Sequence, residues 1–160
     1  MGTRKDAMMD RRWAAAGYLV LLATLSVSRA THGEQARADA EGLQRVVDDY
    51  VGLYRPESLP RWRELFLPTF TAASTSADGS VSVRTLEEFY EAQKRYLDTG
   101  RAIREELENV RIERQDRLAS VWADFVLTDE GSQSRGKLVL LLIEDRGQFK
   151  IHSLIFSYRE

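Results

Sequence analysis

Two side chains of this sequence could act as a general base, Asp124 and His152. Asp124 is flanked by two aromatic residues, Trp122 and Phe125, and a carboxylate that loses its water among aromatic rings has a raised pKa. In a strand, however, Trp122 and Asp124 point to one side, while the purely apolar residues around them point to the other. If the apolar side faces the core, we expect Asp124 to face solvent or a partner molecule.

His152 is one of two histidines, and the other, His32, lies in a small polar stretch near the amino terminus. A metal centre needs several His, Cys or carboxylate ligands, and the chain has no cysteine, so the sequence predicts no metal site and no cofactor. The simplest interpretation of His152 is a half-exposed strand residue. Neither Asp124 nor His152 belongs to a recognisable catalytic set, so the sequence assigns no catalytic residue.

Two acidic clusters have simpler interpretations than a catalytic site. Glu87-Glu88 fits the first turn of a helix, where carboxylates stabilise the helix dipole. Glu105-Glu106-Glu108 is predicted to be a solvated face.

Aromatic residues on the predicted inner faces could contact a ligand. Tyr50 and Tyr54 share the apolar stripe of a helix, and the alternative is that both are core residues with their hydroxyls at the rim. The candidate ligand-binding residues are Tyr50, Tyr54, Trp62, Phe66, Tyr90 and Trp122.

Three helices must position these aromatic residues. The first is predicted from apolar residues at helical spacing between Leu43 and Tyr54, and it should end at Pro56. A second, short helix should begin at Ser58, bury Trp62, Leu65 and Phe66, and stop at Pro68.

Between the second helix and the third, residues 70–74 are predicted to form a brief edge strand. Residues 77–80 should turn the chain into a returning strand at residues 81–83. The third helix is predicted from the capping box of Thr85 and Glu88, and Gly100 marks its end.

The period changes from helical to alternating after Gly100. Ile103, Glu105 and Leu107 have one parity, but Val110 and Ile112 have the opposite parity, so we predict a β-bulge near Glu108-Asn109 that keeps both sets on one side. Two further strands should meet at a polar turn that contains Gly147, and the first of them should lie in the middle of the sheet because residues 138–143 are apolar on both faces. The predicted fold is therefore α+β, a cone-shaped fold with three N-terminal helices packed on a strongly curved antiparallel sheet.

Composition limits the partners. With 160 residues, 23 basic and 25 acidic, the chain fits one globular domain and lacks the basic excess of a nucleic-acid-binding protein. Residues 1–30 have the order of a secretory signal: Arg11-Arg12, an apolar run of about 15 residues, and small residues before a cut after Ala30. We therefore expect a signal peptide (1–30), a flexible lead (31–40) and a domain (41–160) that is periplasmic or extracellular and off the membrane once the signal is removed, with Thr31 as its first residue. Cleavage is favoured over anchoring because the run is shorter than a membrane span.

The order of these elements resembles the nuclear-transport-factor-2-like (SnoaL-like) superfamily, in an exported form. The residues that carry the resemblance, with Phe149 where such proteins often have Trp, are Tyr50, Trp62, Leu65, Phe66, Pro68, Leu86, Phe89, Gly136 and residues 145–153. The resemblance implies a cone-shaped pocket between helices and sheet and often a dimer through the outer sheet face. Ketosteroid-isomerase-like members of this superfamily carry carboxylates at places that correspond here to Ser74 and Val139, neither of which can act as an acid or base.

Two classes of function follow. The first is a small-molecule-binding or assembly domain without catalysis, whose ligand is small and apolar or aromatic. The alternative is an isomerase, dehydratase or cyclase that acts on a ring-containing apolar substrate, with Asp124 or His152 as base. Because the last strands are apolar on both faces, we also expect a homodimer through the sheet face.

Overall fold

The computed structural model describes residue 34, residues 37–75 and residues 79–159. The chain divides into two units, Met1–Ala40 and Glu41–Glu160, and the second contains the complete sheet. The predicted signal segment and part of the predicted turn at 77–80 lie outside the described residues. Among the described helices, none is long and apolar enough to cross a membrane.

Three α-helices and one 3₁₀ turn precede or interrupt the first strands. Helix α1 covers residues 37–52, so residues 37–40, assigned above to a flexible lead, are helical. The 3₁₀ turn, Pro56–Ser58, leads into α2, Leu59–Arg63. Helix α3, Leu86–Leu97, begins at the predicted capping box, in which the Glu88 carboxylate accepts from the Thr85 backbone N–H at 2.8 Å.

The second helix is shorter than predicted. It ends at Arg63, and Phe66 and Pro68 already belong to strand β1, Phe66–Thr75. Ser58 does not cap the helix; its hydroxyl donates to the Leu53 carbonyl at 2.9 Å. Five residues form barely more than one turn, so the buried side chains of Leu59 and Trp62, rather than the local sequence, hold this helix in place.

Six strands form one sheet in the order β2-β1-β6-β5-β4-β3. They are β1, β2 (Val81–Thr85), β3 (Ile103–Gln115), β4 (Leu118–Asp129), β5 (Ser132–Asp145) and β6 (Gln148–Tyr158). β1 pairs in parallel with β6 and all other neighbours are antiparallel. The edge-strand prediction for β1 is therefore wrong: β1 lies between β2 and β6, and β2 and β3 form the edges.

The predicted β-bulge is confirmed. The register of β3 against β4 shifts between Glu108 and Arg111, and Asn109 has a φ of 53°, the left-handed conformation that a bulge can demand. The extra residue returns Ile112 to the side of Leu107, and both pack against the core, whereas Val110 is 37% exposed and does not join it. A second shift, between Leu141 and Leu142 of β5, leaves His152 of β6 without a register partner.

The two faces of the sheet differ in burial. Toward the helices lie alternate residues of the central strands, all buried, such as Val121, Phe125, Leu138, Leu140 and Leu154. Trp62, Phe66 and Phe89 are buried together, with ring centroids 4.6 Å apart for Trp62–Phe66 and 5.7 Å for Trp62–Phe89. Phe149 is buried in the same core, but its ring contacts the Arg114 guanidinium, 5.3 Å from the ring centroid, rather than this aromatic cluster.

Candidate functional site

A cavity of about 430 Å³ lies between helices α1 and α3 and the inner face of the sheet. One part of its lining is aromatic or aliphatic, and the remainder carries hydroxyl, amide and charged groups. The lining residues are Tyr50, Tyr54, Trp62, Arg84, Phe89, Ala92, Gln93, Tyr96, Glu105, Phe125, Leu127, Ser134, Leu138, Leu154, Phe156 and Tyr158. This volume falls in the range of small-molecule sites, about 300–1,000 Å³.

Helix α1 and helix α2 build the inner end of the cavity. The Trp62 indole N–H donates to the carbonyl of Tyr50 at 2.8 Å. That carbonyl lies in the last turn of α1, where it has no partner within the helix. The Trp62 ring then packs against Tyr50 and Tyr54, with centroid distances of 5.9 and 5.4 Å. The indole is thus anchored by its polar edge and presents its ring to the cavity.

Glu105 is the one carboxylate among the cavity-lining residues. It takes the inward parity of β3, opposite Leu127 of β4. The Glu105 side chain keeps some accessible surface because it lines an open cavity. Protein nevertheless surrounds it and removes most of its water, and this desolvation raises the pKa of Glu105 from 4.5 to about 7. It forms no hydrogen bond or ion pair with any side chain in the described part of the chain.

Three tyrosines line the same cavity as Glu105. Burial raises the pKa of Tyr50, Tyr54 and Tyr158, and the negative charge of Glu105 raises each of them further. All three are neutral donors at physiological pH. The Tyr54 hydroxyl is already used, since it donates to the Gln93 side-chain carbonyl. The hydroxyls of Tyr50 and Tyr158 have no partner among the described residues, so both can donate to a ligand.

The rim of the cavity is polar. Arg84 of β2 and Ser134 of β5 are exposed, and both line the cavity. Tyr96 of α3 donates to Asp129 at 2.9 Å, and Arg101 donates to the same carboxyl oxygen at 3.0 Å. Burial, followed by the hydrogen bond to Asp129, raises the pKa of Tyr96 to about 12. This network fixes the end of α3 against the β4–β5 turn and so holds the rim in place.

Gly136 determines where one wall of the cavity lies. A Cβ atom at this position would lie 2.4 Å from the Phe125 ring and 2.2 Å from the Ser157 carbonyl oxygen. Because glycine leaves that space free, the Phe125 ring lies flat over β5 and packs edge-on against Tyr158, with centroids 5.2 Å apart.

Three of the six predicted ligand-binding residues, Tyr50, Tyr54 and Trp62, line the cavity. The other three do not. Phe66 is buried behind Trp62, and Tyr90 lies under the Arg63 guanidinium, 5.2 Å from its ring centroid. Trp122 is on the opposite face of the sheet, 46% exposed. Its neighbours Val121 and Ala123 point inward, so strand alternation turns the Trp122 side chain away from the cavity. This corrects the prediction that Trp122 is one of the ligand-binding residues.

Neither predicted base faces the cavity. Asp124 lies on the outer face, where Lys137 and Arg159 each approach one carboxyl oxygen at 2.8 Å and the Asn109 amide donates to the other. Hydrogen bonds from Lys137 and Asn109 lower the pKa of Asp124, the opposite of the shift that a base among aromatic rings would have. His152 is half-buried in the bulge of β6, with Nδ1 2.8 Å from the Ser153 hydroxyl. The expectation that Asp124 faces solvent or a partner agrees with its position.

Glu105 was misassigned by the sequence analysis as part of a solvated face. Glu106 and Glu108 do lie on the solvated side, where they pair with Arg104 at 2.6 Å and Arg135 at 3.3 Å. The sequence signal for Glu105 is its spacing of two residues from both Ile103 and Leu107. In a strand all three side chains point to the same side, and the two apolar ones face the core. Among the described residues, no cluster of three or more His, Cys, Asp or Glu side chains is arranged to hold a metal ion.

The sequence profile of the SnoaL-like domain matches residues 27–159, so the chain belongs to this family. The nuclear-transport-factor-2-like fold expected from the order of elements is therefore confirmed. No curated protein matches the sequence.

Solved structures with the same fold have different descriptions. A protein from Streptomyces avermitilis, described as a proposed dehydratase of the NTF2-like family, has 11% identity and a TM-score of 0.64, over 78% of this chain and 99% of its own. A proposed scytalone dehydratase from Novosphingobium aromaticivorans has 12% identity and a TM-score of 0.63, over 80% and 89%. The beta subunit of a proposed aromatic-ring-hydroxylating dioxygenase from the same organism has 14% identity and a TM-score of 0.62, over 78% and 92%. At these identities the likeness shows the fold alone.

The desolvation of Glu105 predicts a dependence of stability on pH. In the unfolded chain this carboxyl ionises near 4.5, but in the folded protein it keeps its proton up to about 7. Stability therefore falls as the pH rises through this window, and the loss is complete above it. We expect Glu105→Gln to raise the free energy of unfolding at pH 8 by up to about 3 kcal/mol and to change it little at pH 4, as measured by urea denaturation.

Glu106→Gln is the matched control for this measurement. Its side chain is adjacent in β3 but faces outward beside Arg104, so its effect should be small at both pH values. An equal gain from Glu105→Gln at pH 4 and pH 8 would contradict the assigned cause.

Proposed function

We propose that this protein binds a small, ring-containing molecule in the cavity between its helices and sheet. The observation that carries the proposal is the composition of the lining: aromatic rings at the inner end, with a carboxyl and two unused phenol hydroxyls directed at the same space. Aromatic walls favour the burial of a flat apolar ring, and a few convergent polar groups orient it. Domains of this family bind or convert different molecules on one scaffold, so the support comes from the site and not from the fold.

A variant that blocks the cavity tests this proposal. Ser134 lines the cavity at its exposed rim, so Ser134→Trp should fill the opening without disturbing the core. The probe is 1-naphthalenemethanol, a neutral bicyclic alcohol, and binding is measured by isothermal titration calorimetry. We expect saturable binding to the wild-type protein and at least tenfold weaker binding to Ser134→Trp, because the ring cannot enter.

Gln133→Trp is the matched control, since the adjacent residue of β5 is also exposed but has the opposite parity. It should bind the probe as the wild-type protein does. Equal binding by both tryptophan variants would place the ligand outside the cavity and refute the proposal.

A second candidate is an enzyme that moves a proton on the bound ring compound. Glu105 favours it, because a carboxyl with a pKa of about 7 can accept and return a proton at neutral pH. It replaces Asp124 and His152 in that role, and Tyr50 and Tyr158 could donate to an oxygen that becomes negative.

Proton exchange on a ring ketone tests this candidate. In deuterated buffer, an enzyme with Glu105 as base should exchange the α-protons of 2-tetralone faster than buffer alone, as followed by proton NMR. Glu105→Gln should lose this acceleration while Glu106→Gln retains it. Exchange that is as slow with the wild-type protein as with Glu105→Gln would argue against the enzyme and leave ligand binding untouched.

We further propose that two copies associate through the outer face of the sheet. A row of apolar residues crosses five strands in register: Trp122, Val139, Ile155, Ala73 and Val83. Ile155 is 50% exposed and Val83 is 64% exposed, so the row is open in a single chain. Beside it, Asp124 is paired with Lys137 and Arg159, so its carboxylate is not an unpaired charge at the contact. A twofold dimer covers such a patch on both chains at once.

Sedimentation velocity at micromolar concentration checks this association. The domain should sediment as a dimer, and Ile155→Lys should convert it to a monomer because a lysine in the centre of the contact must lose its water. Gln133→Lys, outside the row, should leave the dimer intact. A wild-type monomer at all concentrations would exclude this interface.

A further inference from the structure

Glu105 lacks a counterion in its cavity. None of the described residues gives it a hydrogen bond or an opposite charge, and desolvation is the one cause of its raised pKa. Buried carboxylates are normally paired, because an isolated negative charge out of water is costly. An unpaired carboxyl directed into an open cavity therefore indicates that the missing partner belongs to the ligand.

The aromatic lining favours the same kind of partner. Tyr50, Tyr54 and Tyr158 line the cavity together with Glu105, and the Trp62 ring packs against the first two. The faces of aromatic rings are negative and attract cations, especially in a site with little water. Carboxylate and ring faces thus present negative potential from several sides of one cavity.

Resting on the proposed function, we propose that the natural ligand is a ring-containing amine whose ammonium group pairs with Glu105. The ring occupies the apolar part of the lining near Phe125, Leu138 and Leu154, and the nitrogen lies among the tyrosines. An ammonium ion supplies the charge that Glu105 lacks and the donors that its oxygens can accept. A neutral alcohol or ketone of the same shape would leave the ionised carboxylate without a counter-charge.

The other titratable groups that line the cavity agree with this assignment. The phenols of Tyr50 and Tyr54 come from the α1 side, Tyr96 from α3 and Tyr158 from β6, and all are neutral below pH 9 because their pKa values are raised. Opposite Glu105 in the sheet is the apolar Leu127.

Arg84 is the one cation among the lining residues that the structure describes. It is exposed at the rim, and its charge does not contribute to the pKa of Glu105. The carboxylate therefore remains without compensation until a ligand enters. Between pH 5 and 9, Glu105 is the group of this cavity whose charge changes.

Matched probes test the proposal. 1-Naphthylmethylamine and 1-naphthalenemethanol have the same ring and chain and differ in the terminal group. At pH 8 we expect the amine to bind the wild-type protein at least tenfold more tightly than the alcohol, by calorimetry. This preference should shrink as the pH falls from 7 to 5, because Glu105 then takes up a proton and loses its charge. Glu105→Gln should abolish the preference because it removes the charge that pairs with the ammonium group, whereas Glu106→Gln should retain the preference.

The outcomes separate this inference from the proposal on which it rests. If both probes bind the wild-type protein equally at pH 8, or if Glu105→Gln keeps the preference, the amine assignment is overturned and the ligand-binding function stands. If neither probe binds, both are overturned.

Discussion

The hydrogen bond from the Trp62 indole to the Tyr50 carbonyl holds together the part of the molecule that makes a cavity possible. It satisfies a carbonyl at the end of α1 and fixes the five-residue helix α2, which is too short to be stable alone. With its polar edge held by this hydrogen bond, the Trp62 ring packs on Phe66 of β1 and Phe89 of α3. These contacts position both elements relative to α2. The aromatic inner end of the cavity depends on this one contact.

Curvature of the sheet supplies the space above that contact. The bulge at Asn109 reverses the parity of β3, which lets a long edge strand keep both of its apolar halves on the concave side. Gly136 lets the Phe125 ring lie flat instead of filling the centre. The helices cover the concave face but do not fill it, and the remaining volume is lined by residues from the three helices and from five strands, β2 to β6. Protein cores are normally packed without cavities of this size. A cavity that remains open and is lined partly by hydroxyl groups is typical of a binding site.

Glu105 illustrates the cost of that arrangement. A glutamine or leucine at this position would spare the protein the desolvation of a carboxylate, yet the chain places an acid there without a partner of its own. Residues that lower stability without a structural benefit are most often found where a ligand or a reaction needs them. The outer face follows the opposite rule, since Asp124 on that side is neutralised by Lys137 and Arg159 within the chain itself. The two faces of one sheet therefore differ in electrostatics as well as in burial.

Local sequence signals predict most of the elements and their order. Helical spacing, the Thr85 capping box, the parity change before Ile112 and the turn at Gly147 are local signals, and the predicted capped helix, bulge and central strand are present. The sequence also shows on which side of its strand Glu105 lies. It does not show whether that side meets water, the core or a cavity. No local signal shows that Phe66 and Pro68 leave the second helix for a strand that pairs in parallel with β6, because that pairing joins segments far apart in the chain. The tertiary fold also places Glu105 of β3 in one cavity with Tyr50 and Tyr158, and the desolvation that raises its pKa depends on neighbours from every packed element.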